Sequence, residues 1–157
     1  LATLTVLIAC SGKGSDDDSA VDTGSLLGDA QERAACAQTG ESGPVIETTN
    51  QVTAQAPALQ ILDSPYTIKL FQDRGGYVRL TADATTAGPR VVFTGFTDSI
   101  INIIDELGAP VDFTQVPGTA CPETIAARVE LDLADGTVWA LFGPSPHNTV
   151  WTMTSQQ

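Results

Sequence analysis

The sequence predicts an all-β protein: a single antiparallel β-sandwich, jelly-roll-like and of about eight strands, after a signal segment and a disordered acidic linker. From about Cys36 onward, apolar and polar residues alternate with a period of two, which is typical of strands with one buried face. Turn residues separate these runs at near-regular spacing. Thr and Val, which favour strands, are common, and 157 residues allow one domain.

The first clear strands are "YTIKLF" and "YVRLTA", which Gly75 and Gly76 separate and which we expect to form a hairpin. "PRVVFTGF", "SIINIID" and "PVDFTQV" follow, with a turn at Leu107-Gly108. The segment before them is the least patterned, and "VIETT" and "QVTAQ" are its candidates for edge strands.

The longest alternation is "TIAARVELDL", and Asp135-Gly136 then predicts a tight hairpin into "TVWALFG". A second hairpin across "PSPHN" would lead into "TVWTMT". That pairing places Trp151 on the face of Val138, Ala140 and Phe142, and Trp139 on the opposite face. One face of the hairpin must be core, and the other is either covered by a neighbouring segment or exposes Trp139 as a contact platform. The alternative is that both tryptophans are buried.

The charge of the chain excludes one class of partner. The formal net charge is −12, from 19 acidic and 7 basic residues. Such a surface repels phosphates, so we expect no nucleic acid partner.

The chain opens with nine mostly apolar residues that are too few to span a bilayer and fit the apolar region of a signal peptide. Leu7-Ile8-Ala9-Cys10 resembles the lipobox of bacterial lipoproteins. The resemblance implies cleavage before Cys10, lipid attachment to its thiol and acylation of its amine. Ser11, which is not Asp, implies delivery to the outer membrane.

Three regions follow from this: 1–9 as a truncated signal peptide, 10–35 as the acylated Cys and a flexible acidic linker, and 36–157 as the sandwich domain. The linker is rich in Gly, Ser and Asp, and such composition favours disorder. Its second half, "LLGDAQERAA", is a candidate short helix that Gly28 interrupts. Its "DTG" resembles an aspartic protease loop, but that chemistry needs two such carboxylates.

The sandwich itself resembles the pre-peptidase C-terminal modules of secreted bacterial proteins. The resemblance rests on "SIINIIDELGAPVDF" and "LDLADGTVWALFG" and covers residues 65 to 155. It implies a binding or stabilising module without catalysis.

The cysteine count is odd. With Cys10 acylated in an oxidising compartment, Cys36 and Cys121 remain to form a disulfide. One alternative is two separate buried thiols. The other is a metal site of these two cysteines and His147, but such a site lacks a fourth ligand. We expect no cofactor and no metal.

Catalytic motifs are not recognisable. His147, the single histidine, lies in "GPSPHNT", and no Ser stands in a nucleophile elbow. We therefore expect a non-catalytic module at the cell envelope, anchored to the membrane by lipid, with an envelope protein or a glycan as partner. Trp139, Trp151 and His147 are the candidate binding residues. The alternative is a small hydrolase on the same scaffold.

Overall fold

The structure, a computed structural model, describes residues 23–60 and 62–156. They contain one helix, α1 (Thr23–Cys36), a 3₁₀ turn at Phe71–Asp73 and ten strands. The strands are β1 (Val45–Glu47), β2 (Ala58–Leu59), β3 (Pro65–Lys69), β4 (Gly76–Ala82), β5 (Gly88–Thr94), β6 (Ile100–Ile104), β7 (Phe113–Pro117), β8 (Ala127–Leu133), β9 (Gly136–Phe142) and β10 (Thr149–Gln156). The predicted signal segment, Cys10 and the first half of the predicted linker lie outside the described residues.

The strands form two sheets. Sheet 1 has six strands in the order β1-β3-β10-β5-β8-β7, and sheet 2 has four in the order β2-β4-β9-β6. The all-β prediction is confirmed. The strands number ten and not about eight, however, and the pairs β1–β3 and β2–β4 are parallel, so the sheets are mixed. The edge strand predicted in "VIETT" is confirmed by β1, whereas β2 has two residues, too few for alternation to reveal, and lies after "QVTAQ" rather than in it.

Consecutive strands mostly lie in different sheets. Among the ten described strands, β7 and β8 are the one consecutive pair that is hydrogen-bonded. The hairpins predicted at Gly75-Gly76, at Asp135-Gly136 and across the loop of His147 are therefore wrong. Gly75 and Gly136 have φ of 128° and 137°, well above the roughly +60 to +90° of a type I′ turn, and they carry the chain from one sheet to the other.

The main core lies between the two sheets. Sheet 1 contributes Ile68, Val92 and Val129, and sheet 2 contributes Leu80 and Phe142, all of them essentially inaccessible to solvent. Burying each such side chain contributes roughly 1.5–3 kcal/mol, which makes this layer the main source of stability.

A second apolar cluster lies on the outer face of sheet 1, beneath α1. It contains Ala35 of the helix together with Val91, Phe93, Ile125 and Met153. Strand β5 is consequently buried on both faces, which explains why "RVVFT" lacks alternation.

The helix confirms the candidate helix in "LLGDAQERAA" and corrects the prediction of a flexible linker for residues 23–35. Gly28, Glu32 and Ala35 are buried and stand at i, i+4 and i+7, so they form one stripe along α1 that faces the sheet. A segment that reads as solvated in the sequence is therefore an additional layer of the domain.

Candidate functional site

A disulfide joins Cys36 to Cys121, as predicted, across 85 residues of sequence. It connects the last residue of α1 to the loop that precedes β8. Because the two sulfurs are bonded to each other, separate thiols and a metal site that uses both cysteines are ruled out.

In the described part of the chain, no group of three or more His, Cys, Asp or Glu side chains is arranged to hold a metal ion. None of its helices is both long and apolar enough for a membrane crossing.

A buried ionic cluster lies between α1 and β8. Arg128, which is 5% exposed, places its Nη1 2.8 Å from Asp29 Oδ1 and 3.3 Å from Glu32 Oε2. Its Nε lies 2.7 Å from Glu130 Oε1, an ion pair without hydrogen-bond alignment. One guanidinium therefore meets three carboxylates, two of them from the helix.

The second oxygen of Glu32 holds the loop before β8. Glu32 is fully buried, and its Oε1 accepts hydrogen bonds from the backbone N–H groups of Thr119 and Ala120, at 2.5 and 2.8 Å. Every strong acceptor position of this carboxylate is therefore directed at sheet 1 or its loop. Charge-assisted bonds of this kind are about twice as strong as neutral ones.

Two glycines make the close approach possible. A Cβ on Gly28 would lie 2.9 Å from Cζ of Arg128, so the residue that interrupts the helical pattern is the point where the guanidinium passes α1. A Cβ on Gly118 would overlap the carbonyl oxygen of Ile125.

The electrostatics of the cluster favour the charged arginine. Burial lowers the pKa of Arg128, but the hydrogen bond that Arg128 donates to Asp29 and the charges of Glu130 and Glu32 outweigh burial, so the pKa of Arg128 is raised above the ordinary value. The cluster is a permanent ionic clamp between helix and sheet. The ionic cluster was not predicted, because Asp29 and Glu32 lie in a stretch whose composition is typical of a linker. The spacing of Gly28, Glu32 and Ala35 at i, i+4 and i+7 was the available signal for a helix with one buried side.

The two tryptophans lie on opposite outer faces, since β9 and β10 do not pair. Trp139 is 8% exposed on the outer face of sheet 2, and its Nε1 donates to the carbonyl of Thr53 at 3.1 Å. Trp151 is half-buried beside α1, and its Nε1 has no partner among the described residues. The predicted arrangement of the two indoles is therefore wrong, because it assumed a hairpin.

The third candidate, His147, lies in a depression of about 380 Å³ at one end of the sandwich. Its exposed ring stacks on Phe96 with the centroids 3.7 Å apart and the planes within 6°. Ser145 and Asp98 line the same depression. Ser145 Oγ accepts from the His147 backbone N–H at 3.1 Å, and Asp98 accepts from Gln115 Nε2 at 3.1 Å.

At another part of the surface, the turn between β6 and β7 exposes Leu107, with 92% of its surface accessible. Beside it is a depression of about 330 Å³ that the β8–β9 turn completes. Its apolar lining is Leu107, Val111, Ala134 and Val138, and its acidic lining is Asp105, Glu106, Asp132 and Asp135. No basic side chain is among the described residues that line it.

No protein-family model matches the chain, and the search of curated proteins found no significant match. The function is therefore argued from the residues themselves.

Proposed function

We propose that the protein is an outer-membrane lipoprotein, anchored through Cys10, that presents its β-sandwich for non-catalytic binding or structural work at the cell envelope. The observation that carries this proposal is the Cys36–Cys121 disulfide. Disulfides persist in oxidising compartments such as the bacterial periplasm and the cell surface. With these two cysteines paired, Cys10 is left for the modification that its lipobox implies.

The firm attachment of α1 to the rest of the domain is consistent with a protein that is anchored through a residue before this helix. The helix is the first described element after Cys10, and a disulfide, an ionic cluster and a buried carboxylate fix it to sheet 1. A covalent and ionic attachment at this end prevents the domain from fraying where an anchor would be joined. Two or more acyl chains give stable membrane attachment, since each buried methylene contributes about 0.8 kcal/mol.

The strand order supports the finer fold proposal, a jelly roll. In the order β3-β10-β5-β8 facing β4-β9-β6, the chain alternates between the sheets, as it does in double-sheet jelly rolls. Jelly rolls include lectin domains, but a fold does not by itself define a function.

Mass spectrometry of the mature N-terminal peptide tests the anchor. The proposal expects Cys10 to be the first residue, with a diacylglyceryl thioether and an acylated amine. Cys10→Ser should leave the protein in the soluble fraction while the Cys36–Cys121 bond still forms. An unmodified Cys10 with the leader still attached would refute the anchor.

Binding is tested by tryptophan fluorescence against glycans, peptidoglycan fragments and envelope proteins. Trp139→Phe and Trp151→Phe identify which outer face reports the signal. A saturable change supports a binding module, and silence towards every probe supports a purely structural role.

The alternative, a small hydrolase, is favoured by one observation: Ser145, His147 and Asp98 line one depression. A histidine base must reach both its nucleophile and its orienting carboxylate. In the described residues, no hydrogen bond joins the imidazole to Ser145 or Asp98, and the ring is stacked on Phe96. Ester and glycoside hydrolysis that is lost in both Ser145→Ala and His147→Ala would establish the alternative.

A further inference from the structure

The turn between β6 and β7 displays a large apolar side chain with little freedom to move. Asp105 Oδ1 accepts from the backbone N–H groups of Leu107 and Ala109, each at 2.8 Å, and Gly108 adopts φ of 80°. The Asp105 backbone N–H also donates to the Ala109 carbonyl at 2.9 Å. Leu107 is therefore held out in solvent by a preorganised turn, and binding would cost little further ordering.

The apolar side chain stands beside a concave surface. The depression of about 330 Å³ has Val111 and Val138 at its base and ends at the exposed Ala134. Val138 is 8% exposed and belongs to the core between the sheets, so the base of the depression is rigid. Its volume suits one or two side chains of a partner and is at the small end of ligand pockets.

The rim carries uncompensated negative charge. Glu106, Asp132 and Asp135 are exposed, and within the described residues none of their carboxylates forms an ion pair or a hydrogen bond. Asp105 adds a fourth carboxylate that already serves the turn. An apolar base with an acidic rim is complementary to an aliphatic side chain flanked by Lys or Arg.

We infer that this surface, the Leu107 turn with its acidic depression, is a docking site for a basic segment of a partner protein. The inference rests on the proposed binding role and names its partner class. A second copy of this chain is disfavoured, because the chain carries a net charge of −12 and would bring like charges together. Phosphate-rich lipid surfaces are disfavoured for the same reason.

The test measures fluorescence anisotropy of a labelled 12-residue peptide of alternating Lys and Leu, with the full chain, in about 150 mM salt. We expect saturable binding that weakens at least about tenfold in Leu107→Ser, because a central apolar contact dominates such interfaces. The double variant Glu106→Gln/Asp132→Asn should weaken binding about tenfold. A matching peptide of Glu and Leu should not bind.

Matched controls separate a site from general attraction. Val45→Ser removes another exposed apolar side chain, 68% accessible, and Glu41→Gln/Glu123→Gln removes the same charge elsewhere. Both should leave the dissociation constant within about twofold. Equal losses in the two charge variants, or no loss in Leu107→Ser, would overturn the site.

Two further measurements test where the peptide binds and whether the natural partner is a protein. NMR shifts should centre on residues 105–111 and 132–138; shifts centred elsewhere would overturn the site. Leu107-dependent binding to phosphatidylglycerol vesicles would replace the protein partner with a lipid and overturn the inference. If mass spectrometry finds Cys10 unmodified with the leader still attached and the same protein binds the peptide, the anchor proposal alone is refuted and the docking site is supported.

Discussion

The outer faces of the two sheets are closed in different ways. Sheet 1 is covered by α1, which a disulfide and a buried ionic cluster fix in place. Among the described residues, the segment 49–57 covers only part of sheet 2 and contributes backbone carbonyls to Trp139 and Arg79. On the uncovered part, Ile101 is 44% exposed beside Tyr77 and Leu141. Covalent and ionic attachment thus marks the face that α1 covers, and the other face keeps accessible surface.

The largest expected effect is loss of the cross-link on sheet 1. The double variant Cys36→Ser/Cys121→Ser should lower the free energy of unfolding by about 4–5 kcal/mol, since a loop of 85 residues is released in the unfolded chain. Chemical denaturation under non-reducing conditions measures this change. Wild type with reductant is the control and should fall by the same amount. A loss below about 1 kcal/mol would show that the helix is held without the bond.

The next effect compares two arginines, one on each outer face. Arg128→Met should cost about 3 kcal/mol, because it leaves the fully buried Glu32 without its cation. Arg79→Met on sheet 2 removes one bond, from Nε to the Ala56 carbonyl at 2.6 Å, and should cost about 1 kcal/mol. Urea denaturation of both variants gives the ranking. Equal losses of unfolding free energy in the two variants would contradict a stronger attachment on the outer face of sheet 1.

The two tryptophans offer a finer comparison. Trp139→Phe removes the donor to the Thr53 carbonyl and should cost about 1 kcal/mol, with faster exchange of the Ala56 amide in the covering segment. Trp151→Phe removes a buried N–H that has no partner in the described part of the chain, so it should cost less. Thermal unfolding with hydrogen exchange checks both. A larger loss in Trp151→Phe would contradict the assignment.

The smallest effect belongs to neither face. Asp83, in the turn that carries the chain from β4 to β5, accepts hydrogen bonds from Thr85 and Thr86, which lower its pKa from 3.8 to about 2. A depressed pKa in the folded state means that its contribution is present above pH about 4 and is lost as the pH falls towards 2. Thr85→Ala should return the pKa towards 3.8 in an NMR titration, and Thr124→Ala, elsewhere on the surface, should not.

Strand positions were predictable because burial imposes a period of two. Leu131 and Leu133 face the core as "VELDL" predicts, and the charged side of β8 is solvated at Asp132. Strand pairing was not predictable from turns. Asp135-Gly136 has hairpin chemistry, yet its backbone carries the chain across to the other sheet. At this turn, the packing of two sheets around one core determines which strands pair, and the local turn propensity does not.

The candidate sites divide in the same way. The disulfide was predicted by counting cysteines, because the resemblance of residues 7–10 to a lipobox sets one of the three apart. The ionic cluster was not predictable, since Glu32 and Arg128 are 96 residues apart. Glu32 has polar sequence neighbours, and Arg128 stands on the strand face that the alternation predicts to be solvated. A helix with one buried stripe is hard to distinguish from a linker when the stripe consists of Gly, Glu and Ala. The turn at Leu107-Gly108 was predicted, but the depression beside Leu107 was not, because it forms only where the fold brings the β8–β9 turn next to this one.

Hydrogen exchange of the α1 amides from Glu32 to Cys36 is the most direct test that this helix is a fixed layer of the domain. We predict protection close to that of β5 and β8 in the oxidised protein, and a larger loss of protection in α1 than in β5 and β8 after Arg128→Met. Exchange of these amides at the rate of an unstructured peptide in the oxidised wild type would contradict it.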